Sequence, residues 1–575
     1  MKKTILCAAL CTLTLCALGV GAGAAEPAAV LPHGAVWALA LYALWRLYRA
    51  WLAMEKPWMH KRLWALSALF AGVMTLGQSF SALGTAEWVT GQKLSALLYL
   101  LGRIPLYYAL MRMLLRALCA GRKQAARILP GWQIGAALLI CWLPWYACIF
   151  PGTVSNDSVS QLMSILGLKE LTNANPICQT GLVALFRWIG LSVANSPDLG
   201  VALYCIVQAV LMAWLMGALI AEMEKSLAPR WLVWGSFAFY ALCPIFPVFA
   251  FCIGKDTNFA MAVLFLALET WRTTHGQTGW KRVVCTCVAA VGCVLLRNPG
   301  IYLAILTLAL TLLWAIRKGK CAIAPLSGLA CAALVFITLH LAVLPMFDIA
   351  PMPETEEYSI PLQQIARVAA GEALTPEQRE IVDGVIPVDE LKGAYNGELS
   401  DPVKDLWRAD VTAEQKAAFW KVWPQIIKDN PMTCVSATFH NTYGYLYPGY
   451  VSIIKPTLLI GDQATRTASV KGYYDYSVNP LSVKLKVFTE KLNQNALYRI
   501  VVSPGLYGWI TLLSAAWLMR KAAKRELLSA VPALFTLAGC MLSAVNGYFR
   551  YAMPLYLSAP LLLWLMAQRG TSREE

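Results

Sequence analysis

The chain has 575 residues, of which 58% are hydrophobic and only 14% are charged, and its formal net charge is +16. A soluble globular protein is about half apolar and about a quarter charged, so this composition excludes an ordinary cytosolic enzyme. The Lys and Arg residues lie mainly in short loops between apolar blocks, which is typical of cytoplasmic loops in a membrane protein and not of a nucleic-acid-binding surface.

The first 25 residues combine a positively charged start, an apolar run and a cluster of small residues. Lys2 and Lys3 precede the run from Ile5 to Val20, and Gly and Ala fill positions 21–25. This pattern fits a cleavable signal peptide and equally a first transmembrane helix. Both alternatives deliver the following residues to the outer side of the membrane.

Apolar blocks of about 20 residues, the length needed to cross the hydrocarbon layer as a helix, recur along the rest of the chain. They predict an all-α polytopic membrane protein with 13 transmembrane helices, or 14 if the N-terminal segment is retained. The predicted spans are 35–52, 63–84, 94–115, 132–150, 199–222, 231–252, 257–271, 283–296, 299–316, 322–346, 499–519, 527–545 and 550–567.

The block 177–194 is ambiguous because it follows a proline and carries Arg187. If it crossed the membrane, the basic loops downstream would fall outside, against the positive-inside rule. We therefore predict an outer amphipathic or re-entrant element within a first large outer loop at 151–198. The basic loops that set this parity contain Lys56, Lys61, Arg62, Arg122, Lys123, Arg127, Arg272, Lys281, Arg282, Arg317, Lys318, Lys320, Arg520, Lys521, Lys524 and Arg525.

Residues 347–498 interrupt the apolar pattern and hold 19 of the 32 acidic residues. Two helix starts are legible, because Thr375 precedes a proline and Thr412 is followed three positions later by Gln415. We predict a small, mainly helical extracytoplasmic domain here. It separates a transmembrane domain at 26–346 from C-terminal transmembrane hairpins and a cytoplasmic tail at 499–575.

Polar residues collect at the predicted outer ends of the spans, in hairpins too short to be simple linkers. Charged groups at membrane depth are costly, so they indicate function by default. The structural alternative is that each residue only starts a helix or reaches the lipid headgroups: Ser158 to Gln161 is itself a capping box, and Asp256 suits a helix start. The candidates are Asp157, Gln161, Lys255, Asp256, Arg297, Asn298, Arg550 and Tyr551.

From about residue 130 to its end the chain resembles the GT-C superfamily of membrane glycosyltransferases, particularly large bacterial membrane proteins of that type. The resemblance rests on 151–161 (Pro-Gly-Thr-Val-Ser-Asn-Asp-Ser-Val-Ser-Gln), which opens the first outer loop where GT-C enzymes carry their acidic motif. It also rests on several shorter motifs in order, at 254–256, 296–302, 360–367, 443–448 and 550–554.

The resemblance implies a GT-C-like fold and an inverting transfer of a sugar from a polyprenyl-phosphate donor to a cell-envelope glycan, lipid or protein on the outer face of the cell membrane. Asp157 would be the catalytic base. Lys255, Arg297 and Arg550 would hold the phosphate, with Asp256, Asn298, Tyr551 and Gln161 as further substrate-binding residues. Asn173-Ala174-Asn175-Pro176 stands where the pattern has paired His residues, which leaves a divalent cation (Mg or Mn) open and no cofactor certain. No nucleic-acid partner is expected.

Two other functions remain open. A flippase or other transporter of lipid-linked glycans would place its charges near the bilayer midplane, whereas these charges collect at one face. A polysaccharide polymerase or ligase would work on the same outer lipid-linked glycans, and the sequence separates it poorly from a glycosyltransferase.

Overall fold

The computed structural model describes residues 2–21, 35–54, 58, 60–120, 129–450, 452, 460, 467–471, 479–519 and 524–568. This part of the chain is predominantly α-helical. Eight helices are long and apolar enough to cross a membrane, or nine if the bent pair 496–518 counts as one span. The protein is therefore a polytopic, all-α membrane protein, as its composition predicts.

The helices and two short strands follow one another along the chain. They are α1 Lys2–Gly19, α2 Ala35–Leu52, α3 Lys61–Leu83, α4 Glu87–Gly91, α5 Lys93–Cys119, α6 Gly131–Ile149, β1 Thr153–Val154, α7 Asn156–Ile165, α8 Ile177–Ala194, α9 Pro197–Lys225, α10 Arg230–Leu242, α11 Ile245–Ala250, β2 Cys252–Ile253, α12 Lys255–Thr274, α13 Trp280–Leu296, α14 Gly300–Arg317, α15 Ile323–Thr338, α16 Leu344–Met346, α17 Ser359–Ala370, α18 Pro376–Asp383, α19 Val388–Ala394, α20 Asp401–Lys404, α21 Ala413–Asp429, α22 Pro431–Thr442, α23 Pro480–Leu492, α24 Ala496–Val502, α25 Pro504–Leu518, α26 Lys524–Cys540 and α27 Phe549–Ala567.

Helices occupy every predicted span, but the block 231–252 is not one continuous helix. It ends at Leu242 and restarts at Ile245, because Pro244 has no backbone N–H to continue the hydrogen-bond ladder. The block 499–519 is likewise bent by 57° before Pro504. Of the predicted calls, residues 22–25, the tail 569–575 and six basic loop residues (Lys56, Arg122, Lys123, Arg127, Arg520 and Lys521) lie outside the described residues.

Helices α6 and α9 pack against each other in opposite directions along their length. Gly131 faces Ala218, Gly135 faces Ala213, and the Tyr146 hydroxyl lies 3.5 Å from the carbonyl of Ala202. The end of α6 and the start of α9 therefore lie at the same end of the pair, and α7 and α8 connect them there. Helix α8 is long and apolar enough to span, but the segment that contains it, from the end of α6 to the start of α9, begins and ends at one level.

Two short strand–helix units meet beside the start of α8. Strands β1 and β2 pair in parallel, with Thr153 opposite Cys252 and Val154 opposite Ile253. Each strand runs directly into a helix, β1 into α7 and β2 into α12. Because the register continues, the first turns of the two helices lie side by side, although the two segments share little sequence.

Helices α17 to α22 enclose a hydrophobic core of their own, which includes Leu362, Val382 and Phe419. The two predicted helix starts are present: Thr375 and Thr412 each accept a hydrogen bond from the backbone three residues on and complete a capping box. The following aromatic residues Tyr443 and Tyr445 are buried in packed clusters.

A set of ion pairs, which we name the basal cluster, joins the ends of several helices far from strands β1 and β2. Glu269 is fully buried and binds Arg272 and Arg282 at 2.7 and 2.8 Å. Glu222 is also buried and binds Arg272 at 3.0 Å. Glu526 faces His275 at 3.7 Å, so the basal cluster links α9, α12, α13 and α26.

Candidate active site

Asp157 lies in the first turn of α7, immediately after strand β1. Ser155 caps this helix and forms a capping box with Ser158. The capping box predicted from Ser158 to Gln161 is therefore wrong, because the helix begins three residues earlier and Ser158 lies inside it. The cap fixes the start of α7 and leaves the Asp157 side chain at its edge, 31% exposed.

Asp157 belongs to an unbroken series of five alternating charges, which we name the ion chain. Its members in order are Lys255, Asp157, Arg550, Asp256 and Arg297. Lys255 Nζ lies 3.0 Å from Asp157 Oδ2, and Arg550 Nη2 lies 2.6 Å from the same oxygen. Arg550 also donates from Nε to Asp256 Oδ2 at 2.8 Å, and Arg297 reaches Asp256 Oδ1 at 3.3 Å. These residues come from four separate outer hairpins of the predicted topology.

The two carboxylates of the ion chain differ in availability. Asp256 is 3% exposed, and both its oxygens are engaged by guanidinium groups. In Asp157 the two cations share Oδ2, and within the described residues no partner contacts Oδ1. Asp256 is thus a structural link, whereas Asp157 offers a free carboxylate oxygen at the surface of the site.

Burial by itself would raise the pKa of the Asp157 carboxyl, but Arg550 and Lys255 outweigh it and hold the pKa well below its usual range. The carboxyl is therefore ionised at neutral pH. With three cations and two carboxylates, the ion chain carries a net charge of +3 − 2 = +1. It favours an anion more than a cation.

The three cations also differ in the donors they have left. Arg550 is nearly buried and directs Nε, Nη1 and Nη2 to Asp256, Tyr548 and Asp157. Arg297 uses only Nη1 in the contacts found among the described residues. Its guanidinium lies 4.9 Å from the ring of Tyr551, and 23% of its side chain is exposed. Arg297 therefore has the geometry for a further bidentate contact, which Arg550 lacks.

The remaining predicted residues lie around the ion chain. Tyr551 packs its ring on Arg297. Asn298 donates to the carbonyl of Asn173 at 2.9 Å and so ties the start of α14 to the loop before α8. Gln161 is one turn after Asp157 but is buried, and it donates to Thr180 at 3.2 Å. Asn298 and Gln161 are thus neighbours of the ion chain and have no direct contact with it in the structure.

Three amide residues beside the ion chain were not assigned a role from the sequence. Asn175 accepts a 2.7 Å hydrogen bond from Lys255 Nζ. Gln179 is fully buried and accepts from Asn258 at 3.0 Å. Their signal in the sequence is weak, since amides in a polar loop and at a helix start are common and only the fold brings them to one place.

The carboxylates of the ion chain are largely engaged by cations of the protein itself. Among the residues that the structure describes, no group of three or more His, Cys, Asp or Glu residues could hold a metal ion. The two carboxylates are bridged by Arg550, whose guanidinium lies between them. Hard divalent cations prefer several oxygen ligands, and three of the four carboxylate oxygens here already contact cations.

Comparison with known proteins assigns the chain to a family. A family model described as "Family of unknown function (DUF6020)" matches residues 168–575, and the chain belongs to that family. The matched range includes Lys255, Asp256, Arg297 and Arg550, whereas Asp157 precedes it. No curated protein and no solved structure matches the chain.

Proposed function

We propose that this protein is a membrane glycosyltransferase of the GT-C type. It would transfer a sugar from a polyprenyl-phosphate donor to a cell-envelope acceptor on the outer face of the membrane. The observation that carries the proposal is the ion chain: an available carboxylate oxygen lies beside cations with free donors, and the local charge is positive. This combination is what displacement of a phosphate leaving group by a hydroxyl requires.

In the proposed reaction the acceptor hydroxyl donates its hydrogen bond to Asp157 Oδ1. The hydroxyl oxygen forms a bond to the anomeric carbon while the bond from that carbon to the phosphate oxygen breaks. The hydroxyl proton passes to Asp157, and the lipid phosphate leaves with the bonding electrons. Attack opposite the leaving group inverts the anomeric centre.

Lys255 and Arg297 would stabilise the phosphate as its charge increases, because both are partly exposed and retain donors. Arg550 would act differently from the sequence-based expectation. Its donors are directed to Asp157, Asp256 and Tyr548, so it would position the two carboxylates and leave the phosphate to its neighbours.

The test compares envelope glycans by mass spectrometry in a deletion strain that carries wild-type protein, Asp157→Asn or the control Asp389→Asn. Asp389 is an exposed carboxylate that pairs with Arg379 in the outer helical part. We expect Asp157→Asn to resemble the deletion and Asp389→Asn to restore the product. A product restored by Asp157→Asn at normal protein levels would refute the mechanism. Accumulation of an untranslocated lipid-linked glycan in the deletion strain would instead indicate a flippase.

A further inference from the structure

A wall of amide side chains lies beside Lys255 of the ion chain, where α7, α8 and α12 meet. We name it the amide wall. Asn258 is one turn after Lys255 on α12, and its Nδ2 donates to Gln179 Oε1 at 3.0 Å and to the Tyr204 hydroxyl at 2.7 Å. Gln179 in turn donates to Tyr204 at 2.7 Å. The members of the wall are Gln161, Asn175, Gln179 and Asn258.

The amide wall is connected to Asp157 on two sides, through Lys255 and through helix α7. Lys255 joins Asp157 to Asn175 through two contacts of 3.0 and 2.7 Å. On the other side, Gln161 follows Asp157 by one turn of α7 and donates to Thr180, the neighbour of Gln179 on α8. The wall is therefore held in register with the available carboxylate oxygen and does not form a separate surface.

Three polar atoms of the wall have no partner in the described part of the chain. They are Asn258 Oδ1, Asn175 Nδ2 and the buried Gln161 Oε1. A buried amide oxygen without a donor costs about 1–3 kcal/mol, so such a group calls for a ligand or water. Asn175 and Asn258 are only partly buried, which leaves their free atoms open to a bound molecule.

Together the free atoms offer both acceptors and a donor, and none carries a charge. An alcohol group is also a donor and an acceptor at once, so an amide can match it in either direction. The ion chain carries its spare cationic donors at Arg297 and Lys255, and Lys255 also donates to Asn175 of the wall. The uncharged amides and the cations of the ion chain thus meet at Lys255, beside Asp157.

We propose that the amide wall binds an uncharged, polyhydroxylated ring of the substrate, while the phosphate contacts the cations of the ion chain. This inference rests on the proposed function and deepens it. The ring could belong to the donor sugar or to a sugar acceptor, which share the same chemistry. Asn258 is the residue that selects for it.

The test measures binding to the full-length protein in lipid nanodiscs with four defined probes. Citronellyl phosphate carries charge alone, and octyl glucoside carries a neutral sugar alone. Citronellyl-phosphoryl glucose carries both, and octyl glucuronide carries a charged ring. Octyl glucoside and citronellyl-phosphoryl glucose are also tested in forms that carry galactose or mannose in place of glucose. The variants are Asn258→Ala, Asn258→Ser, Arg297→Gln and the control Asn430→Ala, which alters a partly exposed amide on the outer helical part.

We expect Asn258→Ala and Asn258→Ser to weaken at least one neutral-sugar probe by about three- to tenfold, the range of one neutral hydrogen bond, and to leave citronellyl phosphate unchanged. Loss confined to the phosphoryl sugar would assign the wall to the donor, and loss confined to octyl glucoside would assign it to the acceptor. Asn430→Ala should change none of them.

The inference is overturned if neither Asn258 variant weakens any neutral-sugar probe, or if octyl glucuronide binds the wild type as well as octyl glucoside does. Absence of sugar-dependent binding in the wild type would overturn it as well. Failure of the proposed function has a different signature: citronellyl phosphate would bind Arg297→Gln as tightly as the wild type, and Asp157→Asn would retain its envelope product.

Discussion

At the scale of single residues, the two carboxylates that the sequence presents as similar candidates are not equivalent in the fold. Asp256 contacts guanidinium groups through both oxygens and is nearly inaccessible. Asp157 shares one oxygen between two cations and keeps the other free. Sequence alone cannot make this distinction, because it depends on which side of the common Arg550 each carboxylate occupies.

Removing Asp256 should destabilise the protein more than removing Asp157. Asp256→Ala leaves Arg550 and Arg297 without their shared buried partner, and breaking such a buried ion pair costs about 3–5 kcal/mol. We expect Asp157→Ala to cost less, since its carboxylate is partly exposed. Thermal unfolding in detergent, followed by tryptophan fluorescence, would show the order. Equal losses in both variants would contradict the assignment of Asp256 as the structural link.

The pH dependence of stability should report on Asp157. Its pKa is depressed in the folded protein by Arg550 and Lys255 against the opposing effect of burial. The stabilisation is therefore fully present above the unfolded pKa of about 3.9 and is lost as the pH falls toward the folded pKa. The difference in unfolding free energy between wild type and Asp157→Asn should be constant from pH 8 to 5 and shrink below about pH 4. A difference that changes between pH 8 and 6 would contradict this.

Arg297 should matter for its shape as well as its charge. Its guanidinium is held on the Tyr551 ring and retains donors for a bidentate contact. We expect Arg297→Gln to reduce transfer by about 100- to 1000-fold, the effect of losing one donor to a developing anion. Arg297→Lys should recover only part of the rate. Arg379→Gln, which removes an exposed cation of helix α18, is the matched control and should transfer at the wild-type rate.

At the scale of helices and strands, apolar length predicted where helices form but not how they are broken or oriented. Helices occupy all the predicted spans, yet Pro244 and Pro504 divide two of them. Helix α8 is long and apolar enough for a span, and only its neighbours α6 and α9 show that the segment containing it begins and ends at one level. Packing partners are a tertiary property, which a window of 18 residues does not contain.

The α8 geometry gives a labelling prediction. Single cysteines at Asn195, just after α8, and at Asn175, just before it, should react with the same membrane-impermeant reagent from the same side of the membrane. The background must be a variant without the native cysteines, of which there are 17. Labelling of the two positions from opposite sides would show that α8 crosses the membrane, and it would invert the predicted orientation of everything downstream.

The pairing of β1 with β2 was the least predictable element. Only two residues of each strand pair, and the sequences Thr-Val and Cys-Ile carry no turn signal that would indicate a sheet. The pairing nevertheless brings the first turns of α7 and α12 together, and with them Asp157 and Lys255. The sequence predicted that these residues lie on one face of the membrane. Their direct contact depends on the two residue pairs between β1 and β2.

At the scale of the whole molecule, the polar contacts of helices α9, α12, α13 and α27 lie mainly at two levels. Helices α9, α12, α13 and α27 each run between the site and the basal cluster or its immediate neighbours. Asn258 contacts Tyr204 at one level, and Arg272 contacts Glu222 at the other. Arg550 lies at the first level and Gln568, which binds Trp271, at the second. The residues between are largely apolar, as expected if each level lies near one surface of a bilayer.

These two levels make a sidedness prediction. Cysteines substituted for Asp157 and Arg297 should be labelled from outside the cell, whereas a cysteine at Lys281, beside the basal cluster, should be labelled only after the membrane is made permeable. The positive-inside rule sets this orientation. If positions 157 and 297 were labelled from opposite sides, the ion chain and the proposal built on it would be refuted together.

Helix α12 is anchored by ion pairs at both of its ends, and this limits which parts of the protein can move. Asp256 and Arg272 are 16 residues apart, or about 24 Å along the helix axis. Tilting or sliding α12 would break buried salt bridges at both of its ends at once. Helix α12 is therefore the fixed element of the site, to which the α7–α8 segment is attached through Lys255 and Asn258.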